Sequence, residues 1–255
     1  MIHEITNPTT VSPLFANWEE TLIWSCLQGI MGKIYADDLE HPTAAMAILG
    51  DFSFYAGNPS GELVSYKPDW CTQDFLIMTP QNDAWKDTIV QVYKDKAKIV
   101  TRYAMKKEPD VFDKPKLERA VSSLPNGYEI HMIDEQLYHM CKSEPWSADL
   151  VSSFASYEDY SNLGLGAVIL KDNVIVSGAS SYSRYLEGIE IEIDTREDHR
   201  QKGLAYACGG KLILECLKRD LYPSWDAQNK ISVALAEKLG YHYSHAYTAI
   251  EICGY

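Results

Sequence analysis

Ile189, Ile191 and Ile193 alternate with Glu190, Glu192 and Asp194, and a charged turn then leads to Gly203 and an apolar stretch, LAYACGGKLILECL. A period of two puts the isoleucines on one face of a strand and the carboxylates on the other. From Leu204 to Arg219 the period changes: Cys208, Leu212 and Cys216 recur every fourth residue, as on one face of a helix. A strand running through a short turn into a helix restricts the chain to mixed α/β architectures. The turn itself has a chemical character. A helix start leaves main-chain N–H groups without intrahelical acceptors and carries a partial positive charge. A turn that aims several such groups inward is an anion cradle. Gly203 carries no side chain, so its backbone is able to approach a phosphate closely.

Composition bounds the remaining choices. The 255 residues suit one large domain or two small ones, and 46% hydrophobic with 23% charged residues is ordinary for a globular protein. No apolar run approaches the ~18 residues that a membrane span needs. The N-terminus, MIHEITNPTT, lacks the basic and apolar regions of a signal peptide. Cys26, Cys71, Cys141, Cys208, Cys216 and Cys253 lie far apart, with no C-x-x-C pair or zinc spacing. Reduced thiols in a cytoplasmic protein are expected. A net charge of −13 argues against a nucleic-acid surface. It steers cationic ligands such as amines, and it equally serves solubility. No acidic pair of the kind that holds magnesium accompanies the cradle, so no metal is expected.

Periodicity along the chain predicts an amphipathic helix over 16–36, strands at Ala44–Leu49 and Phe52–Ala56, and a loop over Asn58–Thr72. A strand at Phe75–Met78, a helix at Asp83–Tyr93 and a strand at Lys98–Met105 follow. Lys106–Lys116, charged and holding Pro109 and Pro115, reads as a linker. The second half predicts a strand at Tyr128–Ile133 and helices within 134–161. A hairpin turning at Lys171-Asp172-Asn173 precedes the alternating strand. After the cradle helix come a strand at Tyr222–Asp226, a helix capped by Asn229 and ended by Gly240, and a closing strand, Tyr243–Ile252.

Arg200-Gln201-Lys202-Gly203-Leu204-Ala205 resembles the Arg/Gln-x-x-Gly-x-Gly/Ala signature of the GNAT superfamily of acyl-CoA-dependent N-acetyltransferases. The ending Lys238-Leu239-Gly240-Tyr241 is similar to the close of that superfamily's second cofactor motif. The resemblance covers roughly residues 128–255. With the N-terminal stretch HPTAAMAILGDFSFYAGNP, the whole chain looks most like the two-part group typified by the zwittermicin A-resistance acetyltransferase.

The resemblance implies an α/β (α+β) fold: a mixed, largely antiparallel sheet flanked by helices, with an N-terminal α/β extension. The sheet would splay where the pantetheine arm inserts between two parallel strands. Residues 1–113 would form the acceptor-side region, with Asp51, Tyr55 and the 58–72 loop as walls. Residues 114–255 would form the acetyl-CoA-binding catalytic domain. The implied reaction moves acetyl from acetyl-CoA to an amine acceptor, an antibiotic or small metabolite, by direct attack in a ternary complex. Glu190 or Glu192 would take, directly or through water, the proton that an ammonium must lose before it has a lone pair for attack. The N–H groups from Gln201 through Lys202, Gly203 and Leu204 to Ala205 would hold the pyrophosphate, with Arg200 and Lys202 adding charge. Asp194 and Thr195 would meet the pantetheine amides through their main chains, and Asn229 would touch the same arm as well as cap its helix. Where the family often has a tyrosine to protonate the departing thiolate, this chain has Ala236, which leaves Ser232, Tyr241, Tyr243 or water for that task. The departure also supports an alternative, a non-catalytic acyl-CoA-binding or sensing protein. His199 reads as solvated. The expected partners are acetyl-CoA and the acceptor, without nucleic acid or membrane, and a homodimer is left open.

Overall fold

The computed structural model describes residues 1–255, which separate into two compact units. One comprises 1–102 and 246–255, the other 103–245.

The first unit holds strands β1 (His3–Glu4), β2 (Lys33–Ala36), β3 (Ala44–Leu49), β4 (Phe52–Gly57) and β5 (Phe75–Pro80), with helices α1 (Thr21–Leu27), α2 (Gly61–Ser65) and α3 (Asp83–Tyr93). Strand β6 (Ala97–Met105) leads out of it, and the last strand, β13 (Tyr243–Cys253), leads back. The strand order is β1-β2-β3-β4-β5-β13-β6. Only β4 and β5 pair in parallel, with Phe52 opposite Ile77. Asn82 caps α3 by accepting from the Trp85 N–H, and the helix turns Trp85 and Ile89 into the core. There they meet Tyr35, Met46, Tyr55, Leu76 and Ile250.

Three expectations fail in this unit. The apolar face over 16–36 is split between α1 and β2, because Gly29 and Gly32 take φ of +67° and +76° and turn the chain. Gly32 has no room for a side chain either: a Cβ there would lie 2.6 Å from both Cys26 Sγ and the Ile48 carbonyl oxygen. The stretch read as loop over 58–72 contains α2, which Ser60 caps through the Leu63 N–H. Tyr55, expected as a wall of the acceptor site, is fully buried against Trp85.

The second unit contains α4 (Lys114–Ser122), β7 (Tyr128–Met132), α5 (Glu135–Ser143), α6 (Tyr157–Leu163), β8 (Gly166–Lys171), β9 (Val174–Tyr185), β10 (Gly188–Thr195), α7 (Leu204–Leu217), β11 (Tyr222–Ser224), β12 (Asp226–Ala227) and α8 (Lys230–Leu239). Its sheet runs β11-β10-β9-β8-β7 and is antiparallel except between β10 and β11. Asp113, Asp134 and Asn229 cap α4, α5 and α8. Helix α7 packs along the isoleucine face of β10, in a core with Ile189, Ile191, Cys208, Leu212, Ile213, Trp225 and Leu239. Gly209 lets α8 come close, since a Cβ there would lie 2.9 Å from Leu239 Cδ1. The expected fold class holds: mixed α/β, two largely antiparallel sheets and eight α-helices.

Candidate active site

The site grows from the parting of two strands. Strand β11 pairs in parallel with β10 only at Gly188, Ile189 and Glu190, where it ends opposite Ser224. The chain then leaves: Asp226 and Ala227 pair with Ala104 and Tyr103 of β6. Strand β10 nevertheless continues to Thr195, paired on its other side with β9 as far as Ser177. From Ile191 to Thr195 one edge of β10 therefore lacks a neighbouring strand. The N–H groups on that edge find acceptors in their own strand. Ile193 N donates to Glu192 Oε1 at 3.1 Å, and Thr195 N donates to Asp194 Oδ1 at 2.6 Å.

At the end of this edge lies the turn that the sequence predicts to be an anion cradle. A single turn at Glu197–His199 precedes Gln201 and Gly203, both in the left-handed region with φ of +61° and +78°. Gly203 is the N-cap of α7 and supplies no capping side chain, so the N–H groups of the first turn, from Leu204 on, are left to other acceptors. A Cβ on Gly203 would meet nothing within 4 Å. The glycine is thus required by backbone conformation, and the space over it is open. Leu204 anchors the helix in the core at 1% exposure, while Gln201 and Lys202 are exposed and Ala205 is half-buried.

Side chains brace the turn. Arg200 Nε donates to the Thr195 carbonyl at 3.1 Å, and its guanidinium lies 3.6 Å from Asp194. Arg196 grips Asp198 with two hydrogen bonds, and Lys202 Nζ donates to the Asp198 carbonyl at 2.9 Å. Thr195 is buried, with its hydroxyl 2.7 Å from Ser177 Oγ. His199 departs from expectation. Its side chain is only 12% exposed and its Nδ1 lies 3.1 Å from the Tyr128 hydroxyl. Burial, with Lys202 beside it, lowers its pKa.

The carboxylates of β10 differ in setting. Glu192 and Asp194 are half-buried, whereas Glu190 is 7% exposed. Register places Glu190 between Ser183 of β9 and Ser224 of β11, and cross-strand partners share a face. Tyr185 Oη lies 2.9 Å from Ser224 Oγ. Burial pushes the Tyr185 phenol above its ordinary pKa; the Ser224 hydrogen bond offsets part of this and the Glu190 charge adds to it. Tyr222 and Tyr241 are raised chiefly by burial, and the Glu190 charge contributes to both. Ser183 Oγ is fully buried and has no partner in the protein. An orphaned buried hydroxyl costs about 1–3 kcal/mol. Sequence reasoning missed Ser183, Ser224 and Tyr185, because nothing in the strand SGASSYSRY says which serine faces Glu190.

The remaining candidates have defined places. Asn229 Oδ1 accepts from the Ile231 and Ser232 N–H groups, so its capping role is occupied. Ala236 is fully buried. Tyr241 donates to the Pro223 carbonyl at 2.5 Å and is buried, which commits its proton. Ser232 Oγ accepts from the Trp225 indole at 3.0 Å, and Tyr243 is 41% exposed. Burial pushes the Cys208 thiol up to about 12, which leaves it a packing group rather than a nucleophile. No helix is long and apolar enough to cross a membrane.

A strand parted from its parallel neighbour, running into an uncapped helix start, is the arrangement that the GNAT resemblance implied. The family model for GNAT acetyltransferase matches residues 12–250. The chain belongs to the GNAT acetyltransferase family. An uncharacterized N-acetyltransferase of Bacillus subtilis (strain 168), YdfB, is 28% identical, covering 89% of this chain and 88% of that protein. A GCN5-related N-acetyltransferase-like protein from Streptococcus suis 89/1591 is 47% identical, with a TM-score of 0.90 over 96% of this chain and 98% of that one. A GCN5-related N-acetyltransferase from Kribbella flavida, 15% identical, shares the fold with a TM-score of 0.54 over 98% of this chain and 96% of its own. This GNAT acetyltransferase is therefore an enzyme by family.

Proposed function

We propose that this GNAT acetyltransferase moves an acetyl group from acetyl-CoA to an amine by direct attack in a ternary complex. One observation carries the reading: the unpaired edge of β10 from Ile191 to Thr195 ends at the uncapped start of α7. A pantetheine arm carries amides that pair like a strand, and a pyrophosphate needs N–H donors. The residues present fit both. The main chains of Asp194 and Thr195 would meet the amides. The N–H groups from Gln201 through Lys202, Gly203 and Leu204 to Ala205 would meet the phosphates, with Arg200 and Lys202 supplying positive charge. Asn229 would touch the same arm from the start of α8. Acetyl-CoA supplies an acyl group activated as a thioester.

The protein's own part is the proton. Glu190 or Glu192 takes a proton from the acceptor ammonium and releases a lone pair. The nitrogen then forms the C–N bond as the C–S bond breaks. The nitrogen sheds its second proton to water, and the leaving sulfur is protonated by Ser232, Tyr243 or water. Glu190 is the stronger candidate for base because burial beside polar side chains excludes bulk water. The acceptor is an antibiotic or small metabolite amine in this reading, in line with the resemblance to the zwittermicin A-resistance group, and the location is the cytoplasm. Ala236 favours a second reading, a sensor that binds acyl-CoA without turnover. Release of CoA thiol from acetyl-CoA across a panel of amines separates the two. Turnover supports the enzyme, and cofactor binding with no turnover on any amine supports the sensor.

A further inference from the structure

Ser183, Glu190 and Ser224 form a polar row across β9, β10 and β11. Within it Ser224 is satisfied by Tyr185 at 2.9 Å. Ser183 is not: its Oγ is buried, without a protein partner, and directly across the register from Glu190. Buried hydroxyls are partnered in the great majority of native structures, so an orphan beside a carboxylate points to a small polar guest. The backbone singles out the same place. Between the pairs Glu190–Ser183 and Ile191–Ser181 strand β9 carries one extra residue, Tyr182. Such a bulge bends the strand, increases its twist and re-aims the side chains beside it. It lies where β11 stops and the open edge of β10 begins.

We propose that Ser183 is a positioning residue: its hydroxyl seats one water that donates a hydrogen bond to the Glu190 carboxylate. This rests on Glu190 as the base. The water passes one proton: it gives a proton to Glu190 and takes one from the acceptor ammonium, so water is regenerated, the carboxylate becomes a carboxylic acid and the ammonium becomes an amine. A hydrogen bond donated to the carboxylate favours its charged form and holds the pKa of Glu190 down. Ser183 thus tunes the base without touching the acceptor.

The test uses the full-length protein without ligands. A high-resolution crystal structure should show a water within hydrogen-bond distance of both Ser183 Oγ and Glu190, and Ser183→Ala should lose it. The absence of a water there, or a direct Ser183–Glu190 hydrogen bond, overturns the proposal. Carboxylate titration by carbon NMR, with the Glu190 signal assigned by its absence in Glu190→Gln, should show a midpoint raised by about one unit in Ser183→Ala and restored in Ser183→Thr. An unchanged midpoint overturns the proposal, since loss of packing alone does not move it. Ser183→Ala removes only the orphan hydroxyl and is expected to fold. The base assignment fails separately: Glu190→Gln that turns over the amine panel at the wild-type rate removes Glu190 from catalysis, while the seated water remains visible or not on its own account.

Discussion

The carboxylate of Asp194 accepts a hydrogen bond from the N–H of Thr195 at 2.6 Å, on the edge of β10 that β11 has left. Residue and neighbour thus close a donor that a bound amide would need. In the proposed complex a pantetheine amide would have to displace the carboxylate, and the phosphates would have to tolerate its negative charge. Asp194→Ala should therefore bind acetyl-CoA more tightly, by about two- to tenfold, the scale of one charge-assisted hydrogen bond partly offset by water. Calorimetry decides it. Weaker binding would show that Asp194 supports the ligand directly or holds Arg200 in place.

Gly203 offers a sharper case. Its φ of +78° is strained for any residue with a Cβ, and the space above it is open. Gly203→Trp should fill that space and tilt the first turn of α7. Acetyl-CoA affinity should fall at least about tenfold, a cost of about 1.4 kcal/mol. Circular dichroism should remain that of the wild type. Unchanged affinity in a folded variant places the phosphates elsewhere.

Glutamine in place of either carboxylate separates Glu190 from Glu192. Loss of the true base should cut turnover by about two to four orders of magnitude at neutral pH. The deficit should shrink at high pH, where free amine is abundant without help. Acetyl-CoA affinity should change little in Glu190→Gln, because Glu190 lies before the open edge. A pH–rate profile unaltered in both single variants and in the double variant would exclude the pair and direct attention to Asp51.

Glu215 governs stability in acid. Its side chain is 10% exposed and bonds Lys211, Lys218 and Arg219 at 3.0, 2.9 and 2.6 Å. Burial alone would raise its pKa, but these three cations outweigh burial and lower it from 4.5 to about 2. The folded value lies below the unfolded one. The stabilisation is therefore complete above about pH 4.5 and disappears as pH falls toward 2. With Lys218 and Arg219 partly exposed, it amounts to about 1–3 kcal/mol. Glu215→Gln should lower the urea midpoint at pH 7, and the gap from wild type should narrow below pH 4. A constant gap across that range would assign the effect to packing.

The strand Ile189–Asp194, the glycine at the start of α7 and the Asn229 cap are all readable from the chain, because each depends on residues within a few positions of one another. The same locality made 16–36 look like one helix: its apolar spacing was real, but Gly29, Gly32 and the pairing of β2 between β1 and β3 claimed half of it for a sheet. Local pattern also left His199 in solvent, where contact with Tyr128, 71 positions away, buries it. The site depends most on such distant contacts. Whether β11 follows β10 or leaves it is decided by the pairing of Asp226 and Ala227 with a strand more than a hundred residues earlier. That pairing opens the edge, and a bulge at Tyr182 sets which serine faces Glu190. Periodicity names the face of each side chain within its own strand, but strand order and register are set by long-range packing, so only the tertiary structure puts Ser183 beside Glu190.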